Sequence, residues 1–398
     1  MEDKIRILFS TECYPPFIAG SGIAIKGIAT GLASLGHKIA IICPSENIRN
    51  EITQESGVTV YRLKSIPVPS TLQNGIRFSL FPKKQVNRIF KEFNPEILHI
   101  TDHFFISGAA YSLAKKSKIP VIGTNHFTPY NFIENFVKRK KSPIYIIAEK
   151  AMWHSMMKIY NNLEMVTVPS EYAKKITQKA GLKIPVIVVS NGIRLEEYED
   201  KSINSGIAVK YKIDKNKTIL LSASRLDREK RVGVILNACS LIKDKVEFQL
   251  LITGKGKDRK NLEAIALKNG ISEKVIFTGV VSQSELKDLY KISDIFLTAS
   301  EVELQGLSIM EAMASGLPVI ASNSMAIPEL VKDDISGFLF EPGNGADAGE
   351  KILKLANDKI LREKMSLSGL ENISNHDINI ILARLEGIYR ALMNNTGS

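Results

Sequence analysis

The chain has 398 residues, of which 44% are hydrophobic and 24% are charged, a balance typical of folded proteins with two or three domains. No apolar run approaches the roughly 18 residues needed to cross a bilayer, and run 5–9 is too short for a signal-peptide core, so a cytoplasmic protein is expected. Three widely spaced cysteines indicate neither a disulfide framework nor a metal cluster.

The net charge of +11 is unevenly distributed. Residues 1–190 contain 25 Lys and Arg against 13 Asp and Glu, so the whole positive excess lies in the first half. This asymmetry indicates an anionic partner for that half, either a membrane surface or a nucleic acid. No nucleic-acid-binding motif accompanies the charge, which favours the membrane.

Short apolar runs rich in Val and Ile alternate with helical patterns. They predict strands at 5–9, 39–43, 58–63, 97–100, 121–124, 166–168 and 186–189, and then at 219–222, 249–253, 275–278, 295–299, 319–321 and 338–340. Because the runs are continuously apolar, the strands should be buried on both faces of parallel sheets. The alternation with helices such as 231–242 and 282–292 predicts an α/β protein with two Rossmann-like, doubly wound domains.

A polar segment at 196–216 lacks both periodicities and is interpreted as the linker between these domains. We therefore expect one domain at 1–195 and a second domain at 205–375. Apolar residues at helical spacing predict an amphipathic helix at 377–393, so the segment 376–398 is expected to pack back on the first domain.

Two carboxylates, Glu303 and Glu311, lie eight positions apart around a predicted loop-to-helix turn that contains Gly306. The glycine allows backbone amides to approach a ligand, and the positive end of the following helix suits a diphosphate. Glu311, one turn into the helix, can accept hydrogen bonds from ribose hydroxyls, while Glu303 can face a sugar ring. The alternative is an acidic helix start that only complements the helix dipole.

Two cations, Arg225 and Lys230, follow another buried strand. A guanidinium fork and an ammonium can neutralise the charge that grows on a departing nucleoside diphosphate, without a metal ion. A solvated basic turn is the alternative.

Glycines also follow two of the strands. The run Gly20-Ser21-Gly22 is expected in the loop after the first strand, but no acidic residue ends the second strand, so a nicotinamide-binding site is disfavoured. Gly254 and Gly256 fit either a ligand loop or a tight turn.

His126 lies at the carboxyl end of the predicted strand 121–124, near the expected cleft between the domains. An imidazole there can hydrogen-bond a sugar hydroxyl or serve a structural role.

Two basic clusters stand beside aromatic residues and predict contact with an anionic membrane, each cation contributing about 1 kcal/mol. Solvated loops are the alternative. The predicted membrane-contacting cations are Lys83, Lys84, Lys138, Arg139, Lys140 and Lys141.

Together these motifs resemble those of the retaining glycosyltransferases of family 4, which have the GT-B fold, and the resemblance runs through nearly the entire chain. It implies two domains facing a cleft, of which 1–195 binds the acceptor and the membrane and 205–375 binds the nucleotide sugar. It also implies a nucleotide-sugar substrate, no metal and no cofactor. It implies that the catalytic residues are His126, Arg225, Lys230 and Glu303. The donor-binding residues that it implies are Gly20, Ser21, Gly22, Arg225, Lys230, Val281, Glu303, Leu304, Gln305, Gly306, Leu307 and Glu311.

Within the family, the sequence looks most like bacterial diacylglycerol glucosyltransferases, although many members have Glu-Gly-Phe-Gly where this chain has Glu303-Leu304-Gln305-Gly306. We therefore expect transfer of glucose from UDP-glucose to diacylglycerol by a protein bound peripherally to the inner face of the cell membrane. The alternatives are a phosphatidylinositol mannosyltransferase using GDP-mannose, a family member with a soluble acceptor, a nicotinamide-dependent oxidoreductase, and a non-catalytic nucleotide-sugar-binding protein.

Overall fold

The computed structural model describes residues 3–17, 20–68, 76–133, 142–200, 202 and 206–396. The chain divides into two compact units. Unit 1 comprises Met1–Gly192 and Ile378–Ser398, and unit 2 comprises Ile193–Asp377. Unit 2 is therefore inserted into unit 1, whose last helix follows it in the sequence.

The elements are numbered in chain order. The strands are β1 (Arg6–Ser10), β2 (Lys38–Pro44), β3 (Glu51–Glu55), β4 (Val58–Leu63), β5 (Ile66–Pro67), β6 (Arg77–Phe78), β7 (Ile97–Ile100), β8 (Val121–Thr124), β9 (Met165–Val168), β10 (Val186–Val188), β11 (Thr218–Ala223), β12 (Phe248–Thr253), β13 (Val275–Gly279), β14 (Ile295–Thr298), β15 (Val319–Ser322) and β16 (Gly337–Phe340). The helices are α1 (Gly20–Ser34), α2 (Lys83–Phe93), α3 (Phe105–Lys116), α4 (Pro129–Ile133), α5 (Pro143–Tyr160), α6 (Glu171–Lys179), α7 (Glu196–Glu199), α8 (Gly206–Lys210), α9 (Val232–Ile242), α10 (Arg259–Lys268), α11 (Gln283–Ile292), α12 (Leu307–Ala314), α13 (Ile327–Leu330), α14 (Gly345–Asn357), α15 (Lys359–Ser374) and α16 (Ile378–Thr396). Two short 3₁₀ helices occupy Arg228–Lys230 and Ser272–Lys274.

Unit 1 is built on an eight-stranded sheet in the order β10-β9-β8-β7-β1-β2-β4-β3. All its pairs are parallel except β3 with β4. The edge strand β3 has an alternating, largely polar sequence, so a search for continuous apolar runs does not find it. The central strand β1 is buried from Ile7 to Ser10 because helices cover both faces of the sheet.

The terminal helix α16 belongs to the core of unit 1. Its apolar face, including Ile381, Leu382, Leu385 and Tyr389, is buried in the cluster that contains strands β1 and β2 and helix α1. Helices α1 and α16 approach closely at Gly31, where a Cβ atom would lie 2.5 Å from the Leu382 side chain.

Unit 2 is built on six parallel strands in the order β13-β12-β11-β14-β15-β16. In unit 2, successive residues of a strand enter opposite cores, as Leu220 does on one face and Leu221 on the other. The predicted doubly wound sheet with strands buried on both faces is therefore confirmed. The segment interpreted as a linker contains α7 and α8 and lies in unit 2, where Tyr198 and Ile207 join the core.

Candidate active site

The candidate donor site of unit 2 lies at the carboxyl ends of β11 and β14. These strands are neighbours, yet β11 is also paired with β12, so the strand order reverses between β11 and β14. Open α/β sheets bind ligands at such a switch point, outside the carboxyl ends of the strands. The two strongest sequence motifs follow these two strands, and the fold therefore brings them together.

Lys230 and Glu303 form an ion pair that the sequence did not predict. The Nζ atom of Lys230 lies 2.6 Å from Oε1 of Glu303, and the two side chains are only 16% and 19% exposed. Arg225 contacts Asp227 at 2.5 Å and also pairs with the buried Glu229. Burial raises the pKa of Glu229, although the nearby cations oppose this rise. Both candidate cations therefore pair with carboxylates.

Gly254 and Gly256 hold the loop after β12 against the loop that carries Arg225. A Cβ atom at Gly254 would lie 2.0 Å from the carbonyl oxygen of Ser224, and one at Gly256 would lie 2.1 Å from that of Leu226. Only residues without a side chain allow this approach of two backbones. In unit 2 these glycines thus hold the loop that carries Arg225 in place.

The loop that carries Glu303 is fixed by its neighbours. Gly306, the N-cap of α12, has φ +99°, a left-handed conformation that favours glycine. The amide of Ala326 donates to the Glu303 carbonyl at 3.3 Å, and the adjacent Gln305 is 3% exposed. These contacts position the Glu303 carboxylate beside Lys230.

The remaining predicted donor residues surround this loop. Leu304 is partly buried, and Leu307 and Val281 pack against the core beneath α12. Val281 follows the carboxyl end of β13, on the same side of the sheet as the two motifs. Their predicted donor contacts stay predictions.

Glu311 lies about one turn into α12 and accepts a hydrogen bond from the Tyr290 hydroxyl at 3.0 Å. Burial raises its pKa from 4.5 to about 7, although Tyr290 and the cation of Lys287 oppose the rise. Lys287 pairs with Glu197 at 2.6 Å. The Glu311 carboxylate therefore has free acceptor capacity in a partly desolvated position, which suits hydroxyl donors.

In unit 1, Gly20, Ser21 and Gly22 form the first turn of helix α1. The prediction of a loop at these three positions is therefore wrong. The low helix propensity of glycine conceals the helix start in the sequence. Gly22 packs on the backbone, since a Cβ atom there would lie 3.0 Å from the Cys13 carbonyl oxygen.

His126 follows β8 and contacts Asn191. Its Nε2 atom lies 2.6 Å from the Asn191 Oδ1 atom, so Nε2 carries the proton and donates it. Its buried Nδ1 atom has no partner among the described residues. Burial lowers the pKa of His126 to about 4, so the ring is neutral at pH 7 and Nδ1 is an acceptor. An unpartnered acceptor at a strand end is suited to a ligand hydroxyl.

A buried carboxylate pair at the edge of the unit 1 sheet was missed in the sequence. The Glu12 amide donates to Asp102 at 2.5 Å, and the Ile106 amide donates to Glu12 at 2.8 Å. Burial and the charge of Asp102 raise the pKa of Glu12 well above its usual range. These bonds join the loops after β1 and β7, and an acidic residue two positions after the end of each buried strand was the available signal.

The predicted membrane-contacting cations are only partly described. Lys83 and Lys84 are exposed in the first turn of α2, while 138–141 lie outside the described residues. No helix in the described part of the chain is long and apolar enough to span a bilayer.

The chain matches two family models. The model described as Glycosyltransferase Family 4 matches residues 18–197, and the model described as Glycosyl transferases group 1 matches residues 205–371.

Among relatives, an alpha-monoglucosyldiacylglycerol synthase of Streptococcus pneumoniae is 27% identical over 84% of this chain and 75% of its own length. A protein of the same name from Acholeplasma laidlawii is 27% identical over 84% of this chain and 85% of its own length. A GDP-mannose-dependent alpha-mannosyltransferase of Corynebacterium glutamicum is 23% identical over 85% of this chain and 77% of its own length.

Solved structures show the same fold. Sucrose-phosphate synthase from Thermosynechococcus elongatus has a TM-score of 0.80 at 18% identity, covering 98% of this chain and 99% of its own. Anabaena HepE in complex with UDP and glucose has a TM-score of 0.76 at 16% identity, covering 96% of this chain and 99% of its own.

Two doubly wound units, with cations and carboxylates gathered at the switch point of the second, define a GT-B glycosyltransferase. The two family models cover most of the chain between them, and the chain belongs to glycosyltransferase family 4. The recognised family and fold are thereby confirmed, and the protein is a glycosyltransferase.

Proposed function

We propose that the protein transfers glucose from UDP-glucose to diacylglycerol, with retention at the anomeric carbon and without a metal ion or a cofactor. The names of two relatives support the sugar and the lipid, and the complex of Anabaena HepE with UDP and glucose supports the base. A GDP-mannose-dependent relative makes mannosyl transfer the competing proposal.

The observation that carries the proposal is the pairing of Lys230 with Glu303 at the switch point. When the donor binds, the ammonium of Lys230 and the guanidinium of Arg225 exchange carboxylate partners for diphosphate oxygens. Charge that accumulates on the leaving diphosphate is then neutralised as the glycosidic bond breaks. The release of Lys230 also frees the Glu303 carboxylate to accept hydrogen bonds from the sugar.

Glu311 and His126 orient the donor. The Glu311 carboxylate accepts hydrogen bonds from the ribose hydroxyls, and its position on α12 places the ribose beside the diphosphate at the helix start. The neutral His126 offers its unpartnered Nδ1 atom to a hydroxyl of the transferred sugar.

The bond changes take place on one face of the sugar. The bond from the anomeric carbon to the diphosphate oxygen breaks, and the acceptor oxygen bonds to the same carbon from the same side. The acceptor proton passes to the departing diphosphate, so no side chain is required as a covalent nucleophile. The products are the α-glucoside and UDP.

The lipid acceptor requires that the protein work at a membrane surface, on the inner face of the cell membrane. The exposed cations of α2 support peripheral binding to anionic lipids. Binding to vesicles should rise with the anionic lipid fraction and fall with salt, because the Debye length is only about 8 Å at physiological ionic strength. Binding that responds to neither variable would contradict this mode of attachment.

Product analysis tests the proposal. Purified protein is incubated with UDP- or GDP-sugars and with vesicles that contain diacylglycerol, phosphatidylinositol or neither, with EDTA present throughout. The expected product is α-glucosyldiacylglycerol, identified by mass and by the anomeric proton coupling. A mannosylated phosphatidylinositol would establish the competing proposal, and activity lost in EDTA but restored by a divalent cation would refute metal independence.

A further inference from the structure

Unit 1 contains an apolar groove of about 950 Å³, within the roughly 300–1,000 Å³ usual for small-molecule sites. It lies among the start of α2, helix α3 and helix α5. Its lining includes Phe81, Phe104, Phe105, Gly108 and Met152. None of the predicted donor residues lies in its lining.

Exposed apolar side chains continue the groove along the surface. Phe81 at its rim is 91% exposed. On α5, Ile144 and Ile147 are 70% and 67% exposed. They precede the lining residue Ala151 at the spacing that places three residues on one face of a helix. Contiguous exposed apolar surface of this kind marks a binding site for an apolar partner.

A basic row runs beside the groove. Lys84, Arg88 and Lys91 are exposed at helical spacing on α2, and Lys83 lies at the rim with Lys84. None of the four forms an ion pair with another described residue. The unneutralised charge favours anionic headgroups at the mouth of an apolar groove. The combination therefore fits a membrane lipid better than an apolar peptide.

The lining contains a buried polar side chain, His103. This side chain is 9% exposed, and its Nδ1 atom has no partner in the described part of the chain. Burial lowers the pKa of His103 to about 4, so the ring is neutral at pH 7. His103 follows β7, next to the strand that carries His126, and its ring packs 5.6 Å from that of Phe127. His103 thus lies at the end of the groove that is nearer the edge of the unit 1 sheet where the sugar is expected.

We propose that this groove binds one acyl chain of the membrane-borne acceptor lipid, and that His103 accepts a hydrogen bond from the hydroxyl that receives the sugar. The basic row on α2 holds the surrounding anionic headgroups. The proposal rests on the proposed function, since it assigns the acceptor of that reaction to a defined surface. In this arrangement the apolar lining selects the chain and His103 is an acceptor-positioning residue.

Gly108→Leu is the decisive variant. A Cβ atom at Gly108 would have no heavy atom within 4 Å, so the larger side chain enters the groove without displacing the core. Gly387→Leu is the matched control. A Cβ atom at Gly387 would also have no heavy atom within 4 Å, but this helix glycine lies on α16, outside the groove.

Initial rates are measured with dioleoylglycerol in anionic vesicles and with water-dispersed dihexanoylglycerol. Gly108→Leu should raise the KM for the long-chain acceptor at least tenfold, with little change for the short-chain acceptor or for UDP-glucose. Gly387→Leu should match the parent protein. His103→Phe, which preserves the aromatic packing, should raise KM for both acceptors about tenfold. Equal behaviour of Gly108→Leu and Gly387→Leu would overturn the groove, and an unchanged His103→Phe would overturn the assigned hydrogen bond.

A binding readout separates this proposal from the proposed function. The fluorescent fatty acid parinaric acid is titrated into each variant without donor. The parent protein, Gly387→Leu and His103→Phe should bind it alike, whereas Gly108→Leu should bind it at least tenfold more weakly. If the parent protein binds the probe in this pattern but yields no glucosyldiacylglycerol, the proposed function fails while the groove stands as an acyl site. If Gly108→Leu binds as the parent does, the groove proposal fails regardless of turnover.

Discussion

Replacement of Glu311 by glutamine should stabilise the free protein and weaken its binding of the donor. Burial raises the pKa of this carboxyl from 4.5 to about 7. Since one pKa unit corresponds to about 1.4 kcal/mol, the ionised carboxylate costs the folded state about 3 kcal/mol. Glutamine occupies the same space and cannot ionise, so the variant avoids this cost.

The pH dependence follows from the raised value. Below pH 4.5 the carboxyl is protonated in the folded and unfolded chains, and it contributes no difference. Between pH 4.5 and 7 the unfolded chain releases the proton while the folded chain keeps it, so wild-type stability falls as pH rises. Above pH 7 the loss is complete. The advantage of Glu311→Gln should therefore be about 2.5 kcal/mol larger at pH 8 than at pH 5.

Urea unfolding of the full chain at these two pH values measures the effect. With a slope of about 2 kcal/mol per M, the extra stabilisation at pH 8 moves the midpoint by about 1 M. Glu350→Gln, an exposed carboxylate on α14, serves as the control and should show no such difference. An advantage of Glu311→Gln that is equal at pH 5 and pH 8 would refute the reasoning. Donor titration should show weaker UDP-glucose binding by about 10- to 100-fold, since a hydrogen bond to a charged group contributes about 1.5–3 kcal/mol.

Three further variants test other contacts. Lys230→Met should lower kcat about 10²–10³-fold in single-turnover assays, because it removes a cation from the leaving diphosphate, and an unchanged rate would refute that role. Asn191→Ala should destabilise the chain by about 1–3 kcal/mol in urea and lower kcat, because the buried N–H of His126 loses its acceptor; a loss of stability alone would assign His126 to structure. Gly31→Ala should lower the free energy of unfolding by about 1–3 kcal/mol, because the added methyl group crowds Leu382. Gly387→Ala should raise it by about 0.5–1 kcal/mol. Equal effects of the two variants would contradict the close approach of α1 and α16.

The sequence predicted the architecture well because parallel strands covered on both faces must be continuously apolar. Each predicted strand is present in the sheets. The signal failed at β3, whose one exposed face gives it a polar, alternating sequence. The sequence pattern also failed at the start of α1, because two glycines in its first turn indicated a loop.

The site was less predictable because its contacts join distant positions. Lys230 meets Glu303 across 73 residues, and His126 meets Asn191 across 65. Each motif could be recognised in the sequence from its place after a buried strand, but pairing depends on which strands become neighbours in the sheet. The carboxylate of Glu12 escaped notice for the same reason, since its partner lies 90 residues away.

The position of α16 sets the order in which the molecule can be completed during synthesis. The strands of unit 1 leave the ribosome first, yet their core includes Ile381, Leu382, Leu385 and Tyr389, which are made only after all of unit 2. Unit 2 is one continuous segment and can fold as soon as it emerges. Until α16 arrives, the partly built first unit exposes the apolar surface that this helix will cover, which is the condition under which nascent chains require chaperones. The unit that is made first is therefore the unit that is finished last.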